Sequence, residues 1–369
     1  MHNTYLQIKQ LNKRYGAKNV VSDVNLTMEE GEILSLLGPS GCGKTTMLRM
    51  IAGLIAPDSG WIGVGGQVFY DGKRALEVEE RQIGMVFQDY ALWPHMTVAK
   101  NIAFGMRLRR KPGSEIRKKV EQLLELVNLP GVGQRYPYEL SGGQQQRVAV
   151  ARALATEPRL VLMDEPLSSL DAGLRENMRT ELVQLFRHLK ITVINVTHDR
   201  DEAMSMSDRI MVLRDGKVQQ CGTPTDLYLY PHNPFVASFM GYANMLSGEV
   251  VESTDTDMVL LRLTENTQGQ LIVQGKAQTA GNTSIAGKTY LLFRPENIRV
   301  SQEMRQLDHT NHCEGKVVHT SFVGGQWRTL IALDGVTSTP ILTFPPFRPQ
   351  IAQRLWLEFP PEYCQVIVG

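Results

Sequence analysis

The chain of 369 residues lacks the features that mark several classes of protein. No apolar run approaches the roughly 18 residues that a membrane-spanning helix requires. The first residues, MHNTYLQIKQ, contain no apolar signal region, so we do not expect export. The formal net charge is only +1, which provides no electrostatic basis for nucleic-acid binding. We therefore expect a protein with neither a membrane span nor a nucleic-acid partner.

Cysteine is also scarce, with four residues in the whole chain. Cys42, Cys221, Cys313 and Cys364 do not fall at metal-ligand spacing, which argues against a zinc site. We expect all four to be reduced thiols in a cytosolic protein.

The pattern of apolar residues divides the chain into two parts. In the first, segments 32–38, 82–88, 159–165 and 191–198 are apolar on both faces and alternate with helical patterns. Such segments are typical of a parallel sheet covered by helices on each side. After residues 235–241 the chain becomes a series of short alternating segments separated by turn-rich stretches, which predicts a small β-barrel or sandwich.

Residues 38–45, GPSGCGKT, match the phosphate-loop pattern G-x-x-x-x-G-K-[ST]. The segment follows a predicted strand and opens a predicted helix, and this context distinguishes a site from a glycine-rich turn. Backbone N–H groups and the helix N-terminus suit phosphate oxygens, so we expect Lys44 to reach the β- and γ-phosphates of a nucleotide and Thr45 to bind Mg²⁺. The predicted nucleotide contacts of this segment are Gly38, Ser40, Gly41, Cys42, Gly43, Lys44, Thr45 and Thr46.

Two acidic residues, Asp164 and Glu165, end the apolar segment 160–165. Adjacent carboxylates at the end of a buried strand are costly unless a cation meets them. Beside a phosphate loop that cation is Mg²⁺, which we expect Asp164 to hold directly or through water. Neighbouring side chains on a strand point oppositely, so Glu165 is free to act on the attacking water. The alternative is a strand end with two solvated acids.

Residues 140–144, LSGGQ, precede a predicted helix whose N-terminus could bind an anion, as the phosphate loop does. Ser141 is a natural N-cap, and Gly142 and Gly143 expose the following N–H groups, with Gln144 next in the helix. Either this is only a capped helix, or it holds the phosphate of a nucleotide bound to another copy of the chain. Capping does not require two glycines, which weaken a helix start, so we favour a composite site in a dimer.

Taken together, these motifs resemble the nucleotide-binding subunit of ATP-binding-cassette (ABC) transporters over residues 5 to about 235. The resemblance implies that Tyr15 stacks on adenine and that Gln88 senses Mg²⁺ and the attacking water. It also implies that Asp171 lies in a loop crossing the dimer interface and that His198 contacts the γ-phosphate. Alone, Tyr15 also fits a half-buried strand aromatic, Gln88 a polar strand end and His198 a satisfied histidine.

The second half resembles a narrower group of importers. The segment 235–250 and the tripeptide RPE at 294–296 are similar to importer subunits with a C-terminal transport-associated β-domain. Their solutes include ferric iron, phosphonates, polyamines and sugar phosphates. The implied fold is an α/β P-loop NTPase cassette, with a parallel sheet core and a helical subdomain, followed by an all-β OB-like barrel. We place the cassette at residues 1–238 and the barrel at 239–369.

The function implied is that of an ATP-hydrolysing motor of an ABC importer, with ATP and Mg²⁺ as cofactors. Glu165, His198 and Gln88 would be catalytic, and Thr45, Gln88 and Asp164 would bind the metal. The implied partners are a second copy, integral membrane permease subunits and a separate solute-binding protein. The implied location is the cytoplasmic face of the cell membrane, as a peripheral protein, with ferric iron or another small ion or organic solute transported.

Alternatives remain for three parts of this interpretation. A soluble cassette ATPase acting on ribosomes or in DNA repair usually carries two cassettes or a long coiled-coil insert, and a regulatory module with a dead site would not keep its catalytic residues. The loop 89–94 either contacts a coupling helix of the permease, which we favour, or packs on its own domain. Residues 240–369 are a dimer tether, which we favour, a regulatory domain or a folded appendage.

Overall fold

The computed structural model describes residues 4–253, 258–264, 272–277, 288–303, 311–336 and 340–369. It contains two compact units, Met1–Pro224 and Thr225–Gly369. Among the residues described, no helix is long and apolar enough to cross a membrane.

The first unit contains both strands and helices. Its strands are β1 (Thr4–Tyr15), β2 (Lys18–Glu29), β3 (Ile33–Leu37), β4 (Ser59–Val64), β5 (Gln67–Tyr70), β6 (Ile83–Val86), β7 (Leu160–Asp164), β8 (Thr192–Thr197), β9 (Arg209–Arg214) and β10 (Lys217–Gly222). Its helices are α1 (Lys44–Ala52), α2 (Val98–Leu108), α3 (Gly113–Leu126), α4 (Gly142–Leu154), α5 (Ala172–Leu189) and α6 (Arg200–Met206).

The central sheet has the strand order β10-β9-β3-β8-β7-β6. The pairs β9–β3, β3–β8, β8–β7 and β7–β6 are parallel, and every residue of β3, β7 and β8 is buried. The four apolar segments of the sequence are β3, β6, β7 and β8, so the predicted parallel α/β core is confirmed. Because these strands are parallel, their carboxyl ends meet at one edge of the sheet, where open α/β sheets bind ligands.

A second sheet of the first unit was not predicted from the sequence. It has the order β2-β1-β4-β5, and all of its pairs are antiparallel. Residues of β1 and β2 alternate between buried and accessible positions, as one-sided antiparallel strands do. Repeated register shifts interrupt the β1–β2 pairing, which explains why the alternation is irregular in the sequence.

Arg81 fixes the end of the helix that follows the phosphate loop. The side chain is 2% exposed, and its guanidinium donates to the carbonyls of Met50 and Ile51 at 3.0 and 2.8 Å, in the last turn of α1. It also donates to the carbonyls of Leu76 and Phe69. Burial lowers the pKa of Arg81, because removing the charged guanidinium from water is unfavourable. A cation at a helix C-terminus is favourable because it faces the negative end of the helix dipole.

The second unit is built almost entirely of strands. Its elements are α7 (Pro224–Leu229), which starts at the division, α8 (Pro234–Met240), β11 (Asn244–Ser253), β12 (Met258–Leu263), β13 (Ile272–Ala277), β14 (Thr289–Phe293), β15 (Arg299–Ser301), β16 (His312–Val323), β17 (Gln326–Leu333), β18 (Ile341–Thr343), β19 (Arg354–Glu358) and β20 (Gln365–Val368). Strands β11-β12-β13-β20-β14 close a barrel, and β15-β19-β16-β17-β18 form a second sheet. The predicted all-β barrel is confirmed.

The RPE tripeptide has a structural role in this unit. Arg294 is buried and donates to the carbonyls of Tyr228, Ala237 and Tyr242, while its guanidinium lies 4.1 Å from the ring centre of Tyr228. Glu296 accepts a hydrogen bond from the Tyr228 hydroxyl. The tripeptide therefore anchors α7, α8 and the following loop to the barrel. Helix α7 precedes the predicted boundary at 238–239 and α8 crosses it, yet from Thr225 onward both belong to the second compact unit. Where the functional cassette ends stays a prediction.

Replacing Arg81 with methionine should destabilise the first unit, because Met keeps the apolar stem but removes the guanidinium donor from four carbonyl oxygens, three of which accept it in buried bonds. We expect Arg81→Met to lower the free energy of unfolding by about 3 kcal/mol, and the melting temperature by about 6–12 °C, measured by circular dichroism. Arg187→Met is the matched control, since Arg187 forms a half-exposed pair with Asp208 worth less than about 1 kcal/mol. Equal effects of the two substitutions would contradict the role given to Arg81.

Candidate nucleotide site

The phosphate loop connects β3 to α1, as its sequence context predicts. Close backbone contacts require glycine at two of its positions. A Cβ atom at Gly38 would lie 2.3 Å from the carbonyl oxygen of Leu213, and one at Gly43 would lie 2.3 Å from that of Val20. Lys44 is 6% exposed and donates from Nζ to the carbonyls of Gly38 at 2.7 Å and Pro39 at 3.0 Å. The loop thus curls around the ammonium group of its own lysine.

The hydroxyl of Thr45 donates to Oδ1 of Asp164 at 2.9 Å, which joins the start of α1 to the end of β7. Asp164 is buried, and burial is the largest cause of a raised pKa at this carboxyl, with the charge of Glu165 acting in the same direction. The hydrogen bond from Thr45 and the charges of Arg49 and Lys44 oppose the rise. An ionised carboxylate in this position is costly and suited to a cation.

Three predicted catalytic side chains meet at a single oxygen atom. Oε2 of Glu165 accepts from Nε2 of Gln88 at 3.3 Å and lies 3.2 Å from Nδ1 of His198. Glu165 has a left-handed backbone with φ 50°, which is unusual for a residue other than glycine and typical of functional sites. Its N–H donates to the carbonyl of Val196 at 2.9 Å, and its carbonyl accepts from the Ser168 hydroxyl at 2.9 Å. These bonds hold the backbone that aims the carboxylate.

An open cleft of about 720 Å³ surrounds these groups. It is lined by Arg49, Phe87, Gln88, Asp89, Asp164, Glu165, Ser168, Ser169 and His198. Arg49 and Ser168 are cleft residues that the sequence analysis did not single out. Arg49 could have been found from its spacing, because it lies four residues after Thr45 and therefore on the same face of α1. Ser168 follows Glu165 by three residues in a turn, a spacing that suits side-chain to backbone bonds.

Comparison with known proteins decides the family. Residues 21–168 match the ABC transporter family, and residues 291–367 match the TOBE domain. The spermidine/putrescine import ATP-binding protein PotA of Nitrosospira multiformis is 44% identical over 321 residues, covering 86% of this chain and 85% of the relative. The Fe(3+) ions import ATP-binding protein FbpC of Rhizobium etli is 44% identical over 318 residues, covering 86% and 84%. The chain belongs to the ABC transporter ATP-binding family.

Solved structures agree with this assignment. The ABC transporter component cbiO1 from Clostridium perfringens is 30% identical with a TM-score of 0.57, covering 61% of this chain and 91% of that one. An ATP-binding cassette in a dimeric, post-hydrolysis state bound to ADP and Pi is 33% identical with a TM-score of 0.52, covering 59% and 98%. The resemblance drawn from the sequence is confirmed, and the chain is an ATP-binding ABC ATPase that hydrolyses ATP.

In a single chain of this ABC ATPase, the remaining predicted contacts lie outside the cleft. Tyr15 ends β1, is 49% exposed and has Nζ of Lys13 5.5 Å from its ring centre. This position fits both the half-buried strand aromatic and a ring that is available to adenine. Asp171 caps α5 by accepting from the N–H of Leu174 at 3.0 Å. In the phosphate loop, Ser40 and Gly41 are exposed, and Cys42 is buried with Sγ 3.9 Å from Nζ of Lys44.

The LSGGQ segment of the ABC ATPase forms a reciprocal capping box at the start of α4. The Ser141 hydroxyl accepts from the N–H of Gln144 at 3.4 Å, and Oε1 of Gln144 accepts from the N–H of Ser141 at 3.0 Å. A Cβ at Gly143 would lie 3.0 Å from the Leu174 side chain, whereas one at Gly142 would meet only ordinary contacts. Packing within one chain thus accounts for Gly143 but gives no reason for glycine at 142.

Removing the charge of Asp164 should stabilise the protein in the absence of nucleotide and Mg²⁺. The folded state raises the pKa of this carboxyl above its unfolded value, so ionised Asp164 costs stability above the folded pKa. The cost declines as pH falls below the folded pKa and is gone below the unfolded pKa. We expect Asp164→Asn to stabilise by about 0.5–2 kcal/mol at pH 7–8, with a gain that shrinks on acidification, measured by thermal unfolding in EDTA.

Asp71→Asn is the control of opposite sign, because hydrogen bonds from the N–H groups of Arg74 and Lys73 lower the pKa of Asp71. It should give no gain at neutral pH. A gain for Asp164→Asn that did not depend on pH would contradict the burial of a charge as its cause.

Proposed function

We propose that this ABC ATPase is the motor subunit of an importer, in which two copies bind two ATP molecules and couple their hydrolysis to solute uptake through separate permease subunits. The proposal rests on one observation: the loop around Lys44, the Thr45–Asp164 pair and the Glu165 carboxylate all lie at one edge of the sheet. The import ATP-binding proteins among the relatives support the direction of transport. They favour this function over a soluble cassette ATPase.

The phosphate loop is proposed to bind the triphosphate. The ammonium of Lys44, now shared between two loop carbonyls, would bind the β- and γ-phosphate oxygens, and the N–H groups from Gly41 to Thr46 would surround the remaining oxygens. Tyr15 would stack on adenine, for which its exposed ring is available. ATP is held here by positioning and charge rather than by covalent chemistry.

Thr45 and Asp164, with Gln88, are proposed to hold Mg²⁺. Oγ1 of Thr45 and Oδ1 of Asp164 lie 2.9 Å apart, so these two oxygens, which are of the kind that Mg²⁺ prefers, are adjacent. Mg²⁺ is usually held by one or two carboxylates together with substrate phosphates, so phosphate oxygens of the nucleotide would complete the shell. When bound, Mg²⁺ would supply positive charge that offsets the negative charge of the phosphates.

Glu165 is proposed to take the proton of the attacking water. Its side chain is 22% exposed, so water reaches it, while Gln88 and His198 orient its Oε2 atom. A general base must lie within hydrogen-bond reach of the proton that it removes, and a fixed carboxylate at the mouth of the cleft meets this requirement. His198, adjacent to that carboxylate, would also contact the γ-phosphate.

The composite site in a dimer is proposed to supply the contacts that one chain lacks. Five predicted nucleotide contacts lie outside the cleft of their own chain: Ser141, Gly142, Gly143, Gln144 and Asp171. A side chain at position 142 would meet only ordinary contacts within the chain, so we propose that a ligand or a partner requires glycine there. The dimeric state of the structural relative bound to ADP and Pi supports this arrangement. ATP would then favour the closed dimer because it binds that state better than the open one.

The permease is proposed to contact the α2–α3 region. A groove of about 650 Å³ lies between these helices, and a second cavity of about 470 Å³ extends from His95 to Leu108. The loop 89–94 packs partly on its own domain, since Tyr90 is buried and Leu92 packs against the core, whereas Ala91 and Pro94 are exposed. The burial of Tyr90 and the core contact of Leu92 support packing on the same domain, and we propose that the exposed Ala91 and Pro94 are available to the permease. Docking there would place the ABC ATPase at the cytoplasmic face of the membrane.

The remaining partners and the solute follow from the same proposal. A separate solute-binding protein and the permease would select the solute, which we propose to be ferric iron or another small ion or organic solute, the kinds named for the relatives. The second unit is proposed to tether the two copies while the cassettes separate, because a tether keeps the local concentration of the second cassette high.

Glu165→Gln should stop turnover while leaving ATP binding nearly intact, because the amide has the same shape but cannot accept the proton. We expect kcat for phosphate release to fall by about 10²–10⁴-fold with little change in nucleotide affinity, whereas Lys44→Ala should weaken binding itself. Glu157→Gln is the matched control, since Glu157 is also a glutamate with a left-handed backbone but pairs with Lys119. Native turnover by Glu165→Gln would exclude Glu165 as the base.

Ser141→Arg should allow ATP binding but block ATP-dependent dimerisation, because a long cation would occupy the composite site. The experiment compares Glu165→Gln protein with and without Ser141→Arg by size-exclusion chromatography, each with and without ATP. Ser141→Gly is the control, since glycine retains all but a few tenths of a kcal/mol of the capping energy and adds no bulk. If the arginine variant dimerised with ATP as the Glu165→Gln protein with serine at position 141 does, the composite site would be wrong.

A further inference from the structure

We propose that Arg152, in the last turn of α4, is a positioning residue for Gln88, because it holds the Tyr90–Ala91 segment in the conformation that keeps Gln88 against Glu165. The inference rests on the proposed role of Gln88. Arg152 lies 62 residues from Tyr90 in sequence and is not part of any motif singled out above. It acts through the loop backbone and does not line the cleft.

Tyr90 and Ala91 both have left-handed backbones, with φ 61° and 47°. They are the only adjacent pair of non-glycine residues with positive φ in the part of the chain that the structure describes. Left-handed geometry is disfavoured wherever a Cβ atom is present, and two such residues in succession require external support. The segment is therefore one that would relax if its partners were removed.

Arg152 supplies that support with both arms of its guanidinium group. Nη1 donates to the carbonyl of Ala91 at 2.5 Å, and Nη2 donates to the carbonyl of Tyr90 at 2.8 Å. The guanidinium carbon also lies 5.1 Å from the ring centre of Trp93. A rigid planar fork can satisfy two successive carbonyls at once, which a lysine ammonium does less well. The pairing fits the strained segment specifically.

The held segment continues directly into the turn that carries Gln88. The N–H of Tyr90 donates to the carbonyl of Phe87 at 3.0 Å, which closes a turn with Gln88 and Asp89 at its centre. The Tyr90 hydroxyl lies 2.5 Å from the hydroxyl of Ser169, a cleft residue. A shift of Tyr90 would thus move the turn and lengthen the 3.3 Å bond from Gln88 to Glu165.

A second anchor lies further along the loop and does not replace Arg152. The Asn101 side chain accepts from the N–H of Trp93 at 2.9 Å and donates to the carbonyls of Trp93 and Met96 at 3.1 Å. These bonds fix the loop from Trp93 onward. Between this anchor and β6, the carbonyls of Tyr90 and Ala91 are held by Arg152.

The test measures phosphate release by the full-length protein with Arg152→Met and Arg152→Lys. We expect kcat to fall by about ten-fold or more for Met and less for Lys, while nucleotide affinity changes by less than about three-fold. Combining Arg152→Met with Gln88→Ala should cost no more than Gln88→Ala alone, since both remove one function. Nucleotide binding and thermal unfolding establish that each variant is folded.

The substitution Ala91→Gly tests whether Arg152 acts by supporting the left-handed segment. If Arg152 had only a general structural role, Ala91→Gly would not restore kcat in the Arg152→Met protein. Glycine accepts the left-handed conformation without strain, so in the Arg152→Met background it should recover at least about three-fold in kcat. Asn128→Gly is the matched control in the same background, because Asn128 is also left-handed, at φ 56°, but lies elsewhere in the first unit. Ala91→Gly alone provides the reference for the double variant.

The outcomes separate this inference from the proposed function. Native kcat in Arg152→Met, no recovery by Ala91→Gly, or equal recovery by Asn128→Gly would each overturn the role of Arg152. Native kcat in Gln88→Ala would instead remove the proposed role of Gln88, and the inference with it. A fall for Gln88→Ala together with the expected Arg152 results supports both.

Discussion

The carboxyl ends of four parallel strands meet at one edge of the central sheet, and the nucleotide site depends on that meeting. The phosphate loop follows β3, Gln88 follows β6, Asp164 ends β7 and His198 follows β8. Parallel strands can be adjacent only when crossover connections return the chain to the same end, so groups that are distant in sequence arrive together. The bond from Thr45 to Asp164 spans 119 residues and exists only because β3 and β7 both flank β8.

The site that results is costly for the folded protein. Asp164 is a buried carboxylate with a raised pKa, and Glu165 and the Tyr90–Ala91 segment have left-handed backbones. Such features persist only where the surrounding structure over-determines them. The fully buried strands beneath the site and the guanidinium of Arg81 at the end of α1 provide that support. The packing of the core thus maintains a site whose buried charge and left-handed backbones are themselves unfavourable.

The sequence predicts those parts of the fold and the site that depend on residues close together in the chain, and not those that depend on distant residues. The phosphate loop and the acidic pair could be predicted, because each is contiguous and sits at the end of an apolar strand. The spacing of Ser141 and Gln144 also contains a capping box, a local pattern that predicts their hydrogen bonds. Arg81 and Arg152 could not be found, since each binds main-chain carbonyls some 30 or 60 residues away, and carbonyls carry no sequence signal. The antiparallel sheet was missed because register shifts blur its alternation.

Helix α4 connects the two proposals made for this ABC ATPase. Its first turn carries the LSGGQ segment, which would face the nucleotide of a second copy, and its last turn carries Arg152, which holds the turn next to Gln88 in its own chain. A helix of 13 residues is a rigid rod about 20 Å long, so a shift of its first turn along the helix axis would be transmitted to its last turn. Closing the dimer on one nucleotide would therefore change the position of Gln88 at the other. Communication between the two sites requires a packed element whose position both sites influence, and α4 contacts the one and would reach the other.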